Sequence, residues 1–303
     1  MAATTSTASE ILAGMARVCG ELYSGIVTTA TSATSMACAG IAETSDDAYN
    51  GGIAWELGGS VFANISDYTG SSKTFTLTSP GLTSIAAADR LVWAWTADKY
   101  AQAFEAMNAA IFESRDQWWR DVKQTRATAT DITLASGDHS YDLPAACLRL
   151  IAIGIQPTTT NSARWYDPFE ANATVVGQPG AFTLDFGPYS GAGMPAWSSR
   201  VQIPPRYGYE SFADAWANEP LLLHYETWET AFTAGSSTTQ LPLDYMIWVS
   251  AEKYMQGRLA GASANERAQL NMQLPQVQSE AAKARGRLKL IKNPREPRLH
   301  VLG

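Results

Sequence analysis

Apolar residues recur at helical spacing in four stretches of the chain. Ile11, Met15, Val18 and Leu22 form a stripe behind Thr7-Ala8-Ser9-Glu10. That quartet is a capping box, in which a Thr hydroxyl and a Glu carboxylate satisfy each other's backbone N–H groups. Gly25 closes the run, so a helix is predicted near residues 8–24. From Ala97 to about Thr125, Tyr100, Phe104, Met107, Ile111, Trp118 and Val122 keep to one face, with no Gly or Pro between them. Thr96 is the candidate N-cap, and Asp98 sits where the helix dipole favours an anion. Phe112 and Trp119 fall off this stripe. Pro242 opens a third helix, with Leu243, Ile247, Ala251 and Tyr254 on its stripe and Gly257 and Gly261 loosening its end. A second capping box, Ser263-Ala264-Asn265-Glu266, starts a fourth helix carrying Leu270, Leu274, Val277, Ala281, Ala284 and Leu288. Pro275 lies inside it and is expected to kink or split it.

The remaining chain reads as strand and turn. Between residues 25 and 95, Asp46-Asp47, Asn50-Gly51-Gly52, Gly58-Gly59, Tyr68-Thr69-Gly70 and Pro80-Gly81 punctuate short β-like runs at 53–57, 61–66 and 73–78. A small β module between two helices is predicted there. A hairpin is predicted from 128–134 and 139–143 around Ser136-Gly137-Asp138, followed by strands at 148–155 and 221–226. Residues 157–220 are irregular, with strand candidates only at 182–186 and 200–203. The expected fold is α+β: a bundle of long helices with an inserted small β module, a β-hairpin region and an extended C-terminal arm. Its divisions are an N-terminal helix (1–24), the β module (25–95), a helical and β body (96–286) and a basic arm (287–303).

Composition and charge narrow the function. Charged residues make up 17% of the 303 residues, against about 25% for an average domain. Ten tryptophans accompany this neutral, hydroxyl-rich surface, and aromatics are enriched where subunits meet. Seven basic residues and one acidic residue between Lys283 and Gly303 give that segment +6, leaving −13 on the rest of a chain whose net charge is −7. Apolar Leu288, Leu290, Ile291, Leu299, Val301 and Leu302 interleave the bases, which favours a protein groove over phosphates. Three scattered cysteines, Cys19, Cys38 and Cys147, argue against a disulfide framework. The N-terminus lacks signal-peptide character and no apolar run reaches membrane-span length. The expectation is a soluble protein, intracellular when made.

No catalytic pattern stands out, and a non-catalytic structural role without cofactor or metal is expected. His139, His224 and His300 are far apart. The Gly187–Gly193 stretch lacks the Gly-Lys-Ser/Thr ending of a phosphate loop. Asp46, Asp47 and Asp67 lack the spacing of a calcium loop. Two rival classes remain in view. Glu226 and Glu229, beside Tyr225 and Trp228, could form the acid pair of a virion glycosidase. Trp55, Trp93, Trp95 and Trp197 could be the sugar platforms of a tail-fibre or carbohydrate-binding module.

The order of these pieces resembles the head-to-tail adaptor, or neck and connector, proteins of tailed bacteriophages. The resemblance rests on Asn108-Ala109-Ala110-Ile111-Phe112 followed by Tyr141-Asp142-Leu143-Pro144. It rests also on the late strand 221–226 before Leu241-Pro242-Leu243-Asp244-Tyr245, and on Ile65-Ser66-Asp67-Tyr68-Thr69-Gly70 within the β module. The resemblance implies a dodecameric ring below the portal protein and above a tail or nozzle protein. Double-stranded DNA would pass through its channel without sequence-specific binding, and the acidic body would repel that DNA. It further implies a portal-docking arm, here Arg287, Lys289, Lys292, Arg295, Arg298, Leu299, Val301 and Leu302. Phe112, Trp118 and Trp119 are the candidate subunit interface, and the virion neck is the expected location.

Overall fold

The computed structural model describes residues 5–59, 61–129, 132–144, 146–157, 162–166, 183–187, 198–203 and 212–291. In chain order the elements begin with β1 (Ser6–Thr7), α1 (Ala8–Cys19), β2 (Leu22–Ser32), β3 (Ser35–Ala39), β4 (Ile53–Glu56), β5 (Phe62–Thr69), β6 (Thr74–Leu77), β7 (Arg90–Ala94) and α2 (Ala97–Ser114). Then come β8 (Arg120–Lys123), β9 (Ser140–Asp142), β10 (Arg149–Ile155), β11 (Arg164–Tyr166), β12 (Thr183–Gly187), β13 (Ser198–Gln202), α3 (Phe212–Ala215) and β14 (Leu221–Thr227). Last are β15 (Thr238–Thr239), α4 (Leu243–Leu259) and α5 (Ala264–Ile291). Two compact units result: Met1–Trp118 together with Glu229–Gly303, and Trp119–Trp228.

The capping box starts α1 as expected. The Glu10 N–H donates to Thr7 Oγ1 at 3.2 Å, and the Thr7 N–H donates to Glu10 Oε2 at 2.8 Å. The helix stops sooner than its apolar stripe. Gly20 adopts φ 73°, a left-handed conformation, and its N–H returns to the Ala16 carbonyl, the usual way a glycine ends a helix. Leu22 therefore belongs to β2 rather than to the helix.

The β module is a closed six-stranded barrel in the order β2-β3-β6-β5-β4-β7. Met36, Ile65, Tyr68, Phe75, Leu91 and Trp93 fill its interior. Its β4 and β7 lack polar alternation because both their faces are covered. Ala54, Leu91 and Trp93 point into the barrel, while Ile53, Trp55, Val92 and Ala94 join the helical core. Backbones meet closely at Gly70, where a Cβ would stand 2.1 Å from the Thr44 carbonyl oxygen.

Around that outer face lie α1, α2, α4 and α5. Ile11, Leu12 and Met15 of α1 meet Met107 and Ile111 of α2, Met246, Val249 and Met255 of α4, and Val277 and Ala281 of α5 in one core. A Cβ on Gly14 would lie 2.3 Å from Ile247 Cδ1, so the crossing of α1 over α4 depends on this glycine. The Tyr245 hydroxyl at the start of α4 donates to the Ala110 carbonyl near the end of α2 at 3.3 Å, which makes these helices antiparallel neighbours. Pro275 is exposed within α5, with Leu274 and Val277 beside it buried, and the helix runs through it as one element.

Three further expectations are corrected. The second helix ends at Ser114, not near Thr125, and Val122 lies in β8, paired with Tyr225 of β14. The arms of the predicted hairpin do not pair with each other among the described residues. Instead β9 pairs with β13, and Thr133 bridges Pro220. Finally, the fold is not a helix bundle with one small β insert, because the strands expected near 148–155 and 221–226 pair with each other and with others in a further sheet. The unit Trp119–Trp228 holds a four-stranded sheet, β11-β10-β14-β8, and a three-stranded one, β12-β13-β9, over its own core of Leu150, Ile153, Ile155, Leu221 and Leu223. The fold is a mixed α+β one with several helices, several sheets and a small barrel.

Candidate functional site

The residues expected to carry chemistry are mostly held in structural contacts. Trp55, Trp93 and Trp95 are 2%, 2% and 0% exposed, so none can offer a ring face to a sugar. The Trp95 indole donates to the Leu12 carbonyl at 3.2 Å; Trp197 lies outside the described residues. Glu226 pairs with Arg149 at 3.1 Å. Glu229 is buried and accepts the Gln240 N–H at 2.7 Å. The two carboxylates belong to different units.

Burial pushes the Cys38 thiol up to about 12 and Cys147 up to about 11; burial, then Glu21, does the same to Cys19, also to about 12. None is a thiolate at neutral pH. Asp46 accepts the Gly70 N–H at 2.7 Å and Asp47 accepts the Asn50 amide at 2.6 Å, both as turn residues. His224 Nε2 lies 2.6 Å from Asp121 Oδ1, and His300 falls outside the described residues.

The expected portal arm splits. Arg287 and Lys289 are helical, because α5 continues to Ile291. Arg287 pairs with Asp244 at 2.9 Å, and Leu288 is buried in the core. This end of the helix is thus anchored rather than extended. Lys292, Arg295, Arg298, Leu299, Val301 and Leu302 lie outside the described residues. Phe112 is 67% exposed on α2, with the Arg115 guanidinium 4.8 Å from its ring centre. Trp118 follows the helix and packs partly buried on the helical core, while Trp119 is half-buried and opens the second unit.

Two ion networks hold α2, α4 and α5 in register. At one end, Glu113 receives Lys253 at 2.6 Å and Arg285 at 2.5 Å, and Arg285 also reaches Glu252 at 2.6 Å. Burial alone would raise the Glu113 carboxyl, but hydrogen bonds and charge from Arg285 and Lys253 outweigh it and hold it below the ordinary value. At the other end, Glu21 binds Lys99 at 2.8 Å, and Arg258 is gripped by Glu266. Glu266 therefore spends its carboxylate on Arg258, so only half of the second capping box forms, with the Glu266 N–H donating to Ser263 Oγ at 3.4 Å.

Between these networks α2 and α4 part to form an open cleft of about 550 Å³. It is lined by the small residues Ala106, Ala109, Gly257 and Gly261 and by the charged Asp98, Glu105, Lys253 and Arg258. The two bases are neutralised by Glu113 and Glu266. Asp98 accepts the Thr96 hydroxyl at 2.6 Å, Glu105 is exposed, and among the described residues neither makes an ion pair. That hydroxyl, against a smaller opposing effect of burial, holds the Asp98 carboxyl below its ordinary value. The cleft thus carries net negative charge among small residues. Sequence reasoning missed it. The one signal was Gly257 followed by Gly261, read only as a frayed helix end.

No protein-family model matches the chain, and neither does any curated protein.

Proposed function

We propose that the chain is a structural head-to-tail adaptor of a tailed-phage virion. In this reading it forms a ring, twelvefold by resemblance, under the portal protein and over a tail or nozzle protein, and the genome passes through its channel. The observation that carries the reading is where the family-like segments fall. Tyr141-Asp142-Leu143-Pro144 spans the end of β9, and Leu241-Pro242-Leu243-Asp244-Tyr245 straddles the start of α4, with Leu241 and Tyr245 buried. The β module between α1 and α2, and a last helix leading toward a basic segment, support the same layout. The burial of three of the four candidate platform tryptophans weighs against the carbohydrate-binding alternative.

Negative-stain microscopy of the chain co-expressed with the portal protein of the same virus tests the proposal. Rings seated on the portal are expected. Deleting residues 292–303, which leaves α5 entire, should abolish that attachment while the circular dichroism of the body is retained. A chain that leaves the portal bare under all conditions overturns the adaptor reading.

A further inference from the structure

We propose that the cleft between α2 and α4 is the docking site for the basic C-terminal segment, residues 292–303, of a second copy of this chain. The inference rests on the reading of the chain as a homo-oligomer but needs no portal.

Charge and shape both favour this occupant. After the internal pairing of Lys253 and Arg258, Asp98 and Glu105 leave the cleft acidic. The segment supplies Lys292, Arg295 and Arg298 against the single acid Glu296, followed by Leu299, Val301 and Leu302. Cations suit these two carboxylates, and aliphatic side chains suit a lining that includes alanine and glycine. A Cβ on Gly257 or Gly261 would meet nothing within 4 Å. Packing inside one copy therefore does not demand glycine at Gly257, although glycine within a helix costs about 1 kcal/mol relative to alanine.

Reach permits the contact. Along α2 from Asp98 to Ala109 the cleft is about 16 Å long at helical rise, the span of about five extended residues. Residues 292–303 are ample for that. The helix α5 starts at one end of the cleft, where Glu266 grips Arg258, and its last turns lie near the other, where Arg285 and Lys253 share Glu113. The homo-oligomer reading assigns the segment to a neighbour's cleft, whereas a wild type that stays monomeric would leave it to its own. Such a contact is heterologous, and repeating it closes a ring where the rotation between copies divides a full turn. In the adaptor reading the portal then competes with the cleft for this segment.

Sedimentation velocity on full-length chains, without portal, tests the proposal. The wild type should self-associate, more weakly at high salt because the paired charges are exposed. Asp98→Lys with Glu105→Lys, or Arg295→Glu with Arg298→Glu, should each weaken association at least tenfold. Mixing the two variants should restore it, since each segment then finds a cleft of opposite sign. Gly257→Leu, which fills the cleft at unchanged charge and has room to fold, should also weaken association at least tenfold. A wild type that stays monomeric, or charge variants that associate normally, or a mixture that does not recover, overturns the inference. Portal attachment is read separately. Rings on the portal with unaffected Glu105→Lys would sink the cleft and keep the adaptor; recovery in the mixture without portal binding would do the reverse.

Discussion

The barrel and the helices beside it solve the same problem by different means. Inside the barrel, Phe75 lies 4.9 Å from Tyr68, 5.0 Å from Trp93 and 5.8 Å from Tyr49, ring centre to ring centre. Among the described residues no ion pair joins two of its strands. The helices α2, α4 and α5 are instead pinned at both ends by charges: Glu113 with Lys253 and Arg285, and Glu266 with Arg258. A closed sheet satisfies its backbone without an edge, so its register needs only apolar volume that fits. Helices satisfy their backbones internally and can slide. Between such helices, ion pairs select one register where apolar stripes would accept several.

Three measurements break or sharpen that contrast. Phe75→Ala removes a fully buried ring and should cost about 3–5 kcal/mol of stability, read from the urea midpoint. A loss below about 1 kcal/mol would mean that the barrel interior is not tightly packed. Arg285→Met should cost less, about 1–3 kcal/mol, because the side chain is 29% exposed. Adding Glu252→Leu to it should recover part of that loss, since the stranded carboxylate is removed. Additive losses would show that the pair is not coupled.

The smallest effect concerns pH. Glu113 has its folded pKa held below the ordinary 4.5. Its contribution is therefore present in full above pH 4.5 and is lost as pH falls through the folded value. Thermal melts should show stability declining below pH 4.5, with a shallower decline in Glu113→Gln. An unchanged slope would remove Glu113 from the acid response.

What could be read from the chain alone divides along the same line. Local signals were legible: the Thr7 and Glu10 box starts α1, and the turn residues between 46 and 81 mark a β module. Signals that depend on distant partners were not. Leu22 fits the helical stripe of α1, but Gly20 ends the helix before it and Leu22 pairs with Ala94 in a strand. Val122 fits the stripe of α2, yet it pairs with Tyr225, far along the chain. The cleft was invisible for the same reason, because its walls come from two helices separated by the whole second unit. Pro275 misled differently. It lies on the exposed side of α5, and Leu274 and Val277 beside it are buried in the core, so the helix runs through it as one element.

The two inserted pieces share a property with a kinetic consequence. The barrel begins and ends on paired residues, Leu22 with Ala94, and the second unit does so through Arg120 and Thr227. Joining α1 to α4 through an unstructured chain of that length would carry a large closure entropy, which grows with the logarithm of loop length. Once each insertion has folded, its ends are neighbours, and it counts as a link only a few residues long. The effective contact order of the helical layer then falls sharply, and with it the barrier to assembly. The connectivity predicts an order of folding in which the insertions form first, each closing its own loop, and the helices that line the cleft assemble last.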